Sequence, residues 1–284
     1  MSIATLPTTG DASALAAALD AAERLLAGRR IAVLTGAGVS TDSGIPDYRG
    51  AGAPVRHPMQ FSSFVSDERA RKRYWAGSHL GWNHFSAAAP NAGHRVLAEM
   101  EQRDRVSGVI TQNVDGLHAR AGSRRVVELH GAMRRVMCLT CGQTFARADI
   151  AERMTRENPW LDSPDGLHLN PDGDVDVDEV EHMVVPDCTV CGGVLKPEVV
   201  FFGEFVPTSV FQSARSLLRG SDALLVAGSS LVVNSGVRLL DQAVKRRLPV
   251  VIVNRGETRG DARASLKIDA GTSEVLTALA ERLG

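Results

Sequence analysis

The cysteines carry the clearest chemical signal in the chain. All four, Cys138, Cys141, Cys188 and Cys191, fall in two Cys-x2-Cys pairs. Each pair forms a knuckle that places two thiolates on one ion, and four sulfurs fill the tetrahedron of a Zn²⁺. With no position left for water, such a site is structural and not catalytic. A second candidate is Gly36-Ala37-Gly38, which follows a short apolar run and offers main-chain N–H groups to a phosphate. A dehydrogenase fingerprint would want a third glycine where Thr41 stands, and the chain runs on into the polar loop Asp42–Arg49. That disfavours hydride transfer and leaves a dinucleotide ligand open. His130, beside Gly131 at the end of another apolar run, is placed to be a general base near neutral pH. A hydrogen-bonded structural histidine is the competing reading, and His118 reads as structural.

Elements that would position these groups follow from apolar periodicity. Ile31–Leu34, Val109-Ile110, Val126–Leu129, Leu224–Val226 and Val250–Val253 are continuous apolar runs. Each discharges into small or polar residues, the pattern of strands buried on both faces of a parallel sheet. Residues 12–28, His94–Gln102, Ser209–Leu218 and Val237–Arg247 have helical length and patterning. The alternation predicts an α/β fold, a doubly wound, mostly parallel Rossmann-like sheet that binds ligands beyond the strands' carboxyl ends. Two stretches break the rhythm, 51–86 and 132–198, and the second holds every cysteine. They are expected to form a smaller helical and zinc-ribbon module inserted into a discontinuous domain made of 1–50, 87–131 and 199–284. The aromatic group Tyr74, Trp75, Trp82 and Phe85 either walls an apolar channel or packs that module's core.

Composition excludes several classes of function. The 284 residues amount to roughly two domains. With 32 basic and 33 acidic residues the net charge is −1, which argues against a nucleic-acid or lipid-surface binder. Arg134 and Arg135 are the only basic pair beside a knuckle. Met1–Asp20 carries neither a basic cluster nor a long apolar run, so a cytoplasmic location and no membrane segment are expected. Asp172, Asp174, Asp176 and Asp178 alternate like a calcium loop, but Val177 occupies the sixth position, where such a loop needs glycine. Residues 162–181 are therefore read as a solvated acidic loop.

Taken together the motifs resemble the sirtuins, NAD-dependent protein-lysine deacylases. Gly36-Ala-Gly-Val-Ser-Thr-Asp-Ser-Gly-Ile-Pro-Asp-Tyr-Arg49, Thr111-Gln-Asn-Val-Asp115, His130-Gly131, the cysteine pairs, Lys196-Pro-Glu-Val-Val-Phe-Phe-Gly-Glu204, Gly228-Ser-Ser230 and Asn254-Arg-Gly256 occur in that family's order. Arg73-Tyr-Trp75 to Gly81-Trp82 and the long insert resemble its class II branch, which includes a mitochondrial member.

The resemblance implies NAD as cosubstrate and one structural zinc. It implies that Gly36, Ala37 and Gly38 cradle the pyrophosphate, and that Ser40, Thr41, Asp47, Tyr48 and Arg49 belong to the loop closing over NAD. Asp115 would hold the nicotinamide carboxamide, beside Val114, while Gln112 and Asn113 position the ribose. Gly228, Ser229, Ser230, Asn254, Arg255 and Gly256 would follow the phosphates and adenosine, with Thr272 near the adenine. Val200 and Phe202 would line the acyl-lysine tunnel, and Gly203-Glu204 would pair with the substrate peptide as an added strand. By resemblance, the acyl oxygen displaces nicotinamide to give an alkylamidate, His130 deprotonates a ribose hydroxyl, and O-acyl-ADP-ribose results. Asn113 is the second catalytic candidate. Two departures matter. Tyr48 stands where the family most often has phenylalanine, and no Tyr-x-x-Arg exists in the chain, which disfavours a desuccinylase. Protein ADP-ribosyl transfer and a non-catalytic NAD-sensing module are the alternative functions, acyl-lysine proteins the expected partners, and a monomer the favoured state.

Overall fold

The computed structural model describes residues 4–6, 12–47, 58–161 and 180–284. Tyr48, Arg49 and the acidic stretch 162–179 lie outside them. Strand β1 (Ala4–Leu6) and helix α1 (Ala12–Leu26) precede β2 (Ile31–Thr35). Helices α2 (Phe61–Ser66), α3 (Glu68–Ala87) and α4 (Ala92–Gln102) lead to β3 (Val106–Thr111), α5 (Leu117–Arg120) and β4 (Val126–Glu128). Next come β5 (Gly131–Cys138), β6 (Thr144–Ala146), α6 (Arg147–Glu157) and β7 (Leu195–Val199). The chain closes with α7 (Thr208–Arg219), β8 (Ala223–Ala227), α8 (Asn234–Lys245), β9 (Val250–Val253), β10 (Leu266–Ile268) and α9 (Thr272–Leu283).

Seven strands pair in parallel in the order β1-β10-β9-β8-β2-β3-β4. The five strands expected from apolar runs are all present, and β2, β8 and β9 are buried along their whole length. Helices cover both faces. Leu19, Leu26, Leu97 and Leu276 pack one side of the sheet, and Phe211, Leu218, Leu239 and Leu240 pack the other. From β2 the chain moves outward through β3 and β4, then returns to lay β8 on β2's opposite edge. The crevice between β2 and β8 is therefore the switch point at which open α/β sheets take ligands.

A three-stranded antiparallel sheet, β6-β5-β7, carries the cysteines. Its core draws on both irregular stretches, Phe64, Trp75 and Phe85 from one and Met133, Val136, Ile150 and Leu195 from the other. Core packing thus accounts for Trp75 and Phe85. The buried Arg147 guanidinium lies 5.2 Å from the Trp75 ring centroid and 5.1 Å from that of Trp82, and donates to the Ser78 carbonyl at 3.1 Å. This satisfies cation and rings together in a place where a bare charge would be costly. Arg134 and Arg135 are both ion-paired, with Glu128 and Glu198.

Candidate active site and zinc centre

The strand ends at the switch point meet backbone to backbone. The Gly36 N–H donates to the Ala227 carbonyl and the Gly38 N–H to that of Gly228, at 3.1 and 2.9 Å. A Cβ on Gly36 would lie 2.7 Å from the Gly228 oxygen, and one on Gly38 would lie 2.9 Å from the Gly228 Cα. Gly228 is doubly constrained, with φ of +62° and a hypothetical Cβ 2.4 Å from the Val39 nitrogen. These glycines are needed because the two loops touch almost entirely through main chain, the Ser229 Cβ being the one side-chain atom among the nearest contacts. Thr272 clamps the contact from α9, its hydroxyl donating to the Gly38 carbonyl at 3.0 Å.

Beneath this cradle runs a chain of hydrogen bonds from the β3 end. The Asn113 amide donates to the Gly36 carbonyl (3.1 Å) and to Ser40 Oγ (3.0 Å), and Ser40 donates to Asp115 Oδ2 at 2.7 Å. Asp115 Oδ1 accepts the Leu117 N–H at 2.9 Å. Burial pushes the Asp115 carboxyl above its ordinary range, against these donors, which favour the carboxylate. Ser229 donates to Gln112 Oε1 at 2.6 Å, joining the β8 loop to the β3 loop.

His130 sits where β4 ends and β5 begins. Its Nδ1 lies 2.9 Å from the Gln112 main-chain oxygen and its Nε2 2.8 Å from Ser235 Oγ. A carbonyl only accepts, so Nδ1 carries the hydrogen and Nε2 presents a lone pair. Burial lowers the imidazole's pKa, outweighing the Gln112 hydrogen bond that favours the cation, so the ring is neutral at pH 7. His118 instead is fully enclosed and hydrogen-bonds Thr35 Oγ1 at 2.9 Å, a structural residue as expected.

One cavity of about 1340 Å³ gathers these groups. It is lined by Gly36, Ala37, Gly38, Ser40, Thr41, Asp47, Gln112, Asn113, Val114, Asp115 and His130. Gly228, Ser229, Ser230, Asn254, Arg255, Gly256 and Thr272 also line it, as do Val200, Phe202, Gly203 and Glu204. Every expected cofactor and substrate residue within the described chain thus borders one space. Single small-molecule pockets span about 300–1000 Å³, so this one has room for a dinucleotide and a second ligand. Ile45, Tyr74, Val199 and Phe201, buried to 8% exposure or less, add an apolar wall. Tyr74 therefore serves both as core and as wall, its ring 4.9 Å from that of Phe201. Phe202 is half exposed, its carbonyl held by the Phe61 N–H at 2.9 Å. Lys196, buried to 3% of its side chain, ion-pairs with Glu204 at 3.0 Å, and Glu204 accepts the Phe201 N–H at 2.7 Å. The pair fixes the turn at residues 201–204. Tyr74 was one of the aromatics offered as a channel wall, whereas sequence patterns gave no sign of Ser235 at the cavity.

The four cysteine sulfurs lie within 4.8 Å of one another, with Cys138–Cys191 at 3.6 Å and Cys141–Cys188 at 3.8 Å. Bonds of about 2.3 Å to one tetrahedral ion require sulfur–sulfur edges of about 3.8 Å, so the set fits one structural zinc. Each knuckle closes on a left-handed glycine, Gly142 or Gly192, whose N–H donates to the first cysteine's carbonyl at 3.0 or 2.8 Å. The ion would tie the β5–β6 turn to the approach to β7.

Among the described residues no helix is long and apolar enough to cross a membrane.

Comparison with known proteins agrees with this geometry. The Sir2 family matches residues 36–235. The chain is 53% identical over 263 residues to NAD-dependent protein deacetylase 1 of Mycobacterium avium (strain 104), covering 91% of this chain and 93% of that one. It is 46% identical to NAD-dependent protein deacylase Sirt4 of Drosophila melanogaster, over 90% and 84% of the two chains. A solved complex of Sir2 with a p53 peptide and NAD+ superposes with a TM-score of 0.75 at 30% identity, over 93% of this chain and 97% of that one. A glycine-rich turn at the switch point, a neutral histidine on the wall of one large cavity and a four-sulfur centre, in a chain with these relatives, mean that it belongs to the Sir2 family.

Proposed function

We propose that this NAD-dependent protein deacylase uses His130 as the general base that deprotonates a ribose hydroxyl of bound NAD, with an acyl-lysine peptide as second substrate. The observation that carries the reading is the His130 tautomer. With Nδ1–H held by the Gln112 carbonyl and burial keeping the ring neutral, Nε2 is the unprotonated nitrogen on the cavity wall, a base whose lone pair faces the Ser235 hydroxyl.

The other residues divide by position. Gly36, Ala37 and Gly38 cradle the pyrophosphate, with Ser229 and Ser230 across the crevice and Asn254, Arg255, Gly256 and Thr272 toward the adenosine. The Asn113–Ser40–Asp115 chain fixes the pocket for the nicotinamide amide, where Asp115 accepts and Asn113 is held in place. NAD supplies the electrophilic ribose carbon that the acyl oxygen attacks. Ile45, Tyr74, Val199 and Phe201 keep water from that carbon and receive the acyl chain. Segment 200–204, its turn held by Lys196–Glu204 and by Phe61, offers main chain to the peptide.

Mass spectrometry of nicotinamide and O-acyl-ADP-ribose, with NAD and a panel of acyl-lysine peptides, tests the reading. Acyl-dependent release of both is expected, with His130→Ala folded and at least about 100-fold slower, the usual worth of a general base. Full turnover by a folded His130→Ala protein would overturn the assignment. Label from NAD retained on protein would move the reading to ADP-ribosyl transfer, and intact NAD to a sensing module.

A further inference from the structure

Ser235 has no role in the reaction above, yet its hydroxyl lies 2.8 Å from the same His130 nitrogen that serves as the base. Because Nδ1 carries the hydrogen, Ser235 donates to Nε2. Serine hydroxyl, imidazole and Gln112 carbonyl then stand in series as nucleophile, base and orienting acceptor. Ser235 borders the cavity and is 8% exposed, so it is screened from bulk water but open to a bound ligand. It also lies in the first turn of the twelve-residue α8, whose opening N–H groups lack intrahelical acceptors and receive no side-chain cap from Val233. Those N–H groups are suited to an oxyanion next to the serine.

We propose that Ser235 is an acyl-accepting nucleophile, so that the protein is also an esterase acting on O-acyl-ADP-ribose, the product of its own deacylation. The inference rests on the assignment of His130 as base toward the ribose hydroxyl. Two hydroxyls that hydrogen-bond one nitrogen at about 2.8 Å lie within roughly 5.6 Å of each other. The ester carbonyl carbon is one bond from the ribose oxygen, so a shift of the ester by on the order of 1 Å toward α8 brings it to attack distance of Ser235 Oγ.

Ser235 Oγ adds to the ester carbonyl carbon while its proton passes to His130 Nε2. The tetrahedral adduct collapses, the bond from carbonyl carbon to ribose oxygen breaks, and that oxygen takes the proton from His130. ADP-ribose leaves an acyl-Ser235 ester. A water then adds to this ester, giving its proton to His130; the bond to Oγ breaks, Oγ is reprotonated, and the free carboxylic acid departs. No oxidant, reductant or further co-reactant is required.

The test supplies purified O-acetyl-ADP-ribose to the full chain without NAD or peptide and follows ADP-ribose and acetate by mass spectrometry. Hydrolysis at least about tenfold faster than the protein-free control is expected, with Ser235→Ala at the control rate and Ser235→Cys restoring part of the activity. An acetyl mass on the digest peptide containing Ser235, trapped by acid quench, is expected from the native chain and needs no variant to fold. Hydrolysis at the control rate, or an alanine variant as fast as the native chain, overturns the proposal and leaves Ser235 as a hydrogen-bond partner of the base. Nicotinamide release from NAD and acyl peptide, measured in parallel, shows separately whether the deacylase assignment stands.

Discussion

Gly38→Ala isolates the cost of crowding the crevice. Gly38 has no left-handed φ, so alanine meets no conformational penalty there, and its methyl carbon meets the Gly228 Cα at 2.9 Å and carbonyl oxygen at 3.1 Å. Both are main chain. The Gly228 loop is pinned by its own N–H bond to the Val253 carbonyl at 2.9 Å and has no soft side chain to yield. Relief to ordinary contact requires the loops to part by about 0.5–1 Å. Overpacking of this kind costs about 1–3 kcal/mol, and a chain of this size loses roughly 2–4 °C of Tm per kcal/mol. The larger effect falls on the ligand, because the cradle itself is displaced and misplacement of about 1 Å costs up to about 100-fold. Gly44→Ala is the control. Gly44 has φ of +82° with open space around its Cβ, so alanine there pays about 1–2 kcal/mol of backbone strain without touching Gly228. NAD titrations of nicotinamide release with melting curves on both variants make the measurement. KM for NAD is expected to rise at least tenfold in Gly38→Ala and to stay within about twofold in Gly44→Ala, at comparable losses of Tm. Equal KM in the two variants would refute the claim that main-chain contact between the loops shapes the NAD site.

Chelation and pH probe other parts of the fold. One zinc per chain is expected by elemental analysis, and Cys188→Ser, which removes a buried ligand, should lose the ion and melt at least 5 °C lower, on the order of 2 kcal/mol or more. Retention of stability without the metal would show the four sulfurs to be dispensable. Burial holds the His94 pKa at about 4 and that of His118 well below the usual value, so both are neutral in the fold and titrate near 6.5 when unfolded. Their contribution is complete above about pH 6.5 and is lost as pH falls below it, for His94 down to about 4, on the order of 3 kcal/mol in all for that residue. Urea midpoints at pH 7.5 and 5.0 should show this fall, and His94→Gln should reduce it, leaving the His118 part; a flat native profile would refute the assignment. Glu204→Gln leaves Lys196 buried without its carboxylate, and breaking such a pair costs about 3–5 kcal/mol. KM for acyl peptide should rise with KM for NAD unchanged, and the reverse pattern would place the pair's influence elsewhere.

The parts of this fold that were readable in the sequence are those whose signal is local. Parallel strands buried on both faces must be apolar without alternation, so β2, β8 and β9 stand out as runs. The cysteines were equally plain because their knuckle spacing is fixed by the ion. Strand β1 went unread, since three residues at a sheet edge are too few to show a period. Helix α3 was expected only as part of a helical stretch, without bounds. It carries Gly77 and Gly81 and buries much of its circumference, so no polar face marks it. Gly38 looked like a phosphate-turn glycine, whereas its lack of a side chain is required by Gly228, which the sheet order alone brings to it. Ser235 resembles any serine in a helix's first turn until His130 is placed against it.

His130 joins the two sheets. His130 follows β4 of the large sheet and immediately precedes β5 of the small one, and its carbonyl accepts the Val200 N–H at 2.8 Å. Gly131 passes so close to β7 that a Cβ would lie 2.0 Å from the Glu198 oxygen, and its φ is +83°. No other residue fits both constraints, so the imidazole is bonded covalently to one sheet and packed without slack against the other. Segment 200–204 extends directly from β7, hence that segment and His130 are held together as one piece. The cradle, by contrast, hangs from β2 and β8. Rotation of the small sheet about the Gly131 junction would alter the distance between segment 200–204 and the Gly36–Gly38 turn while leaving His130 fixed relative to that segment. The four-sulfur centre, at the far end of β5 and β7, holds the length of the lever on which that geometry depends.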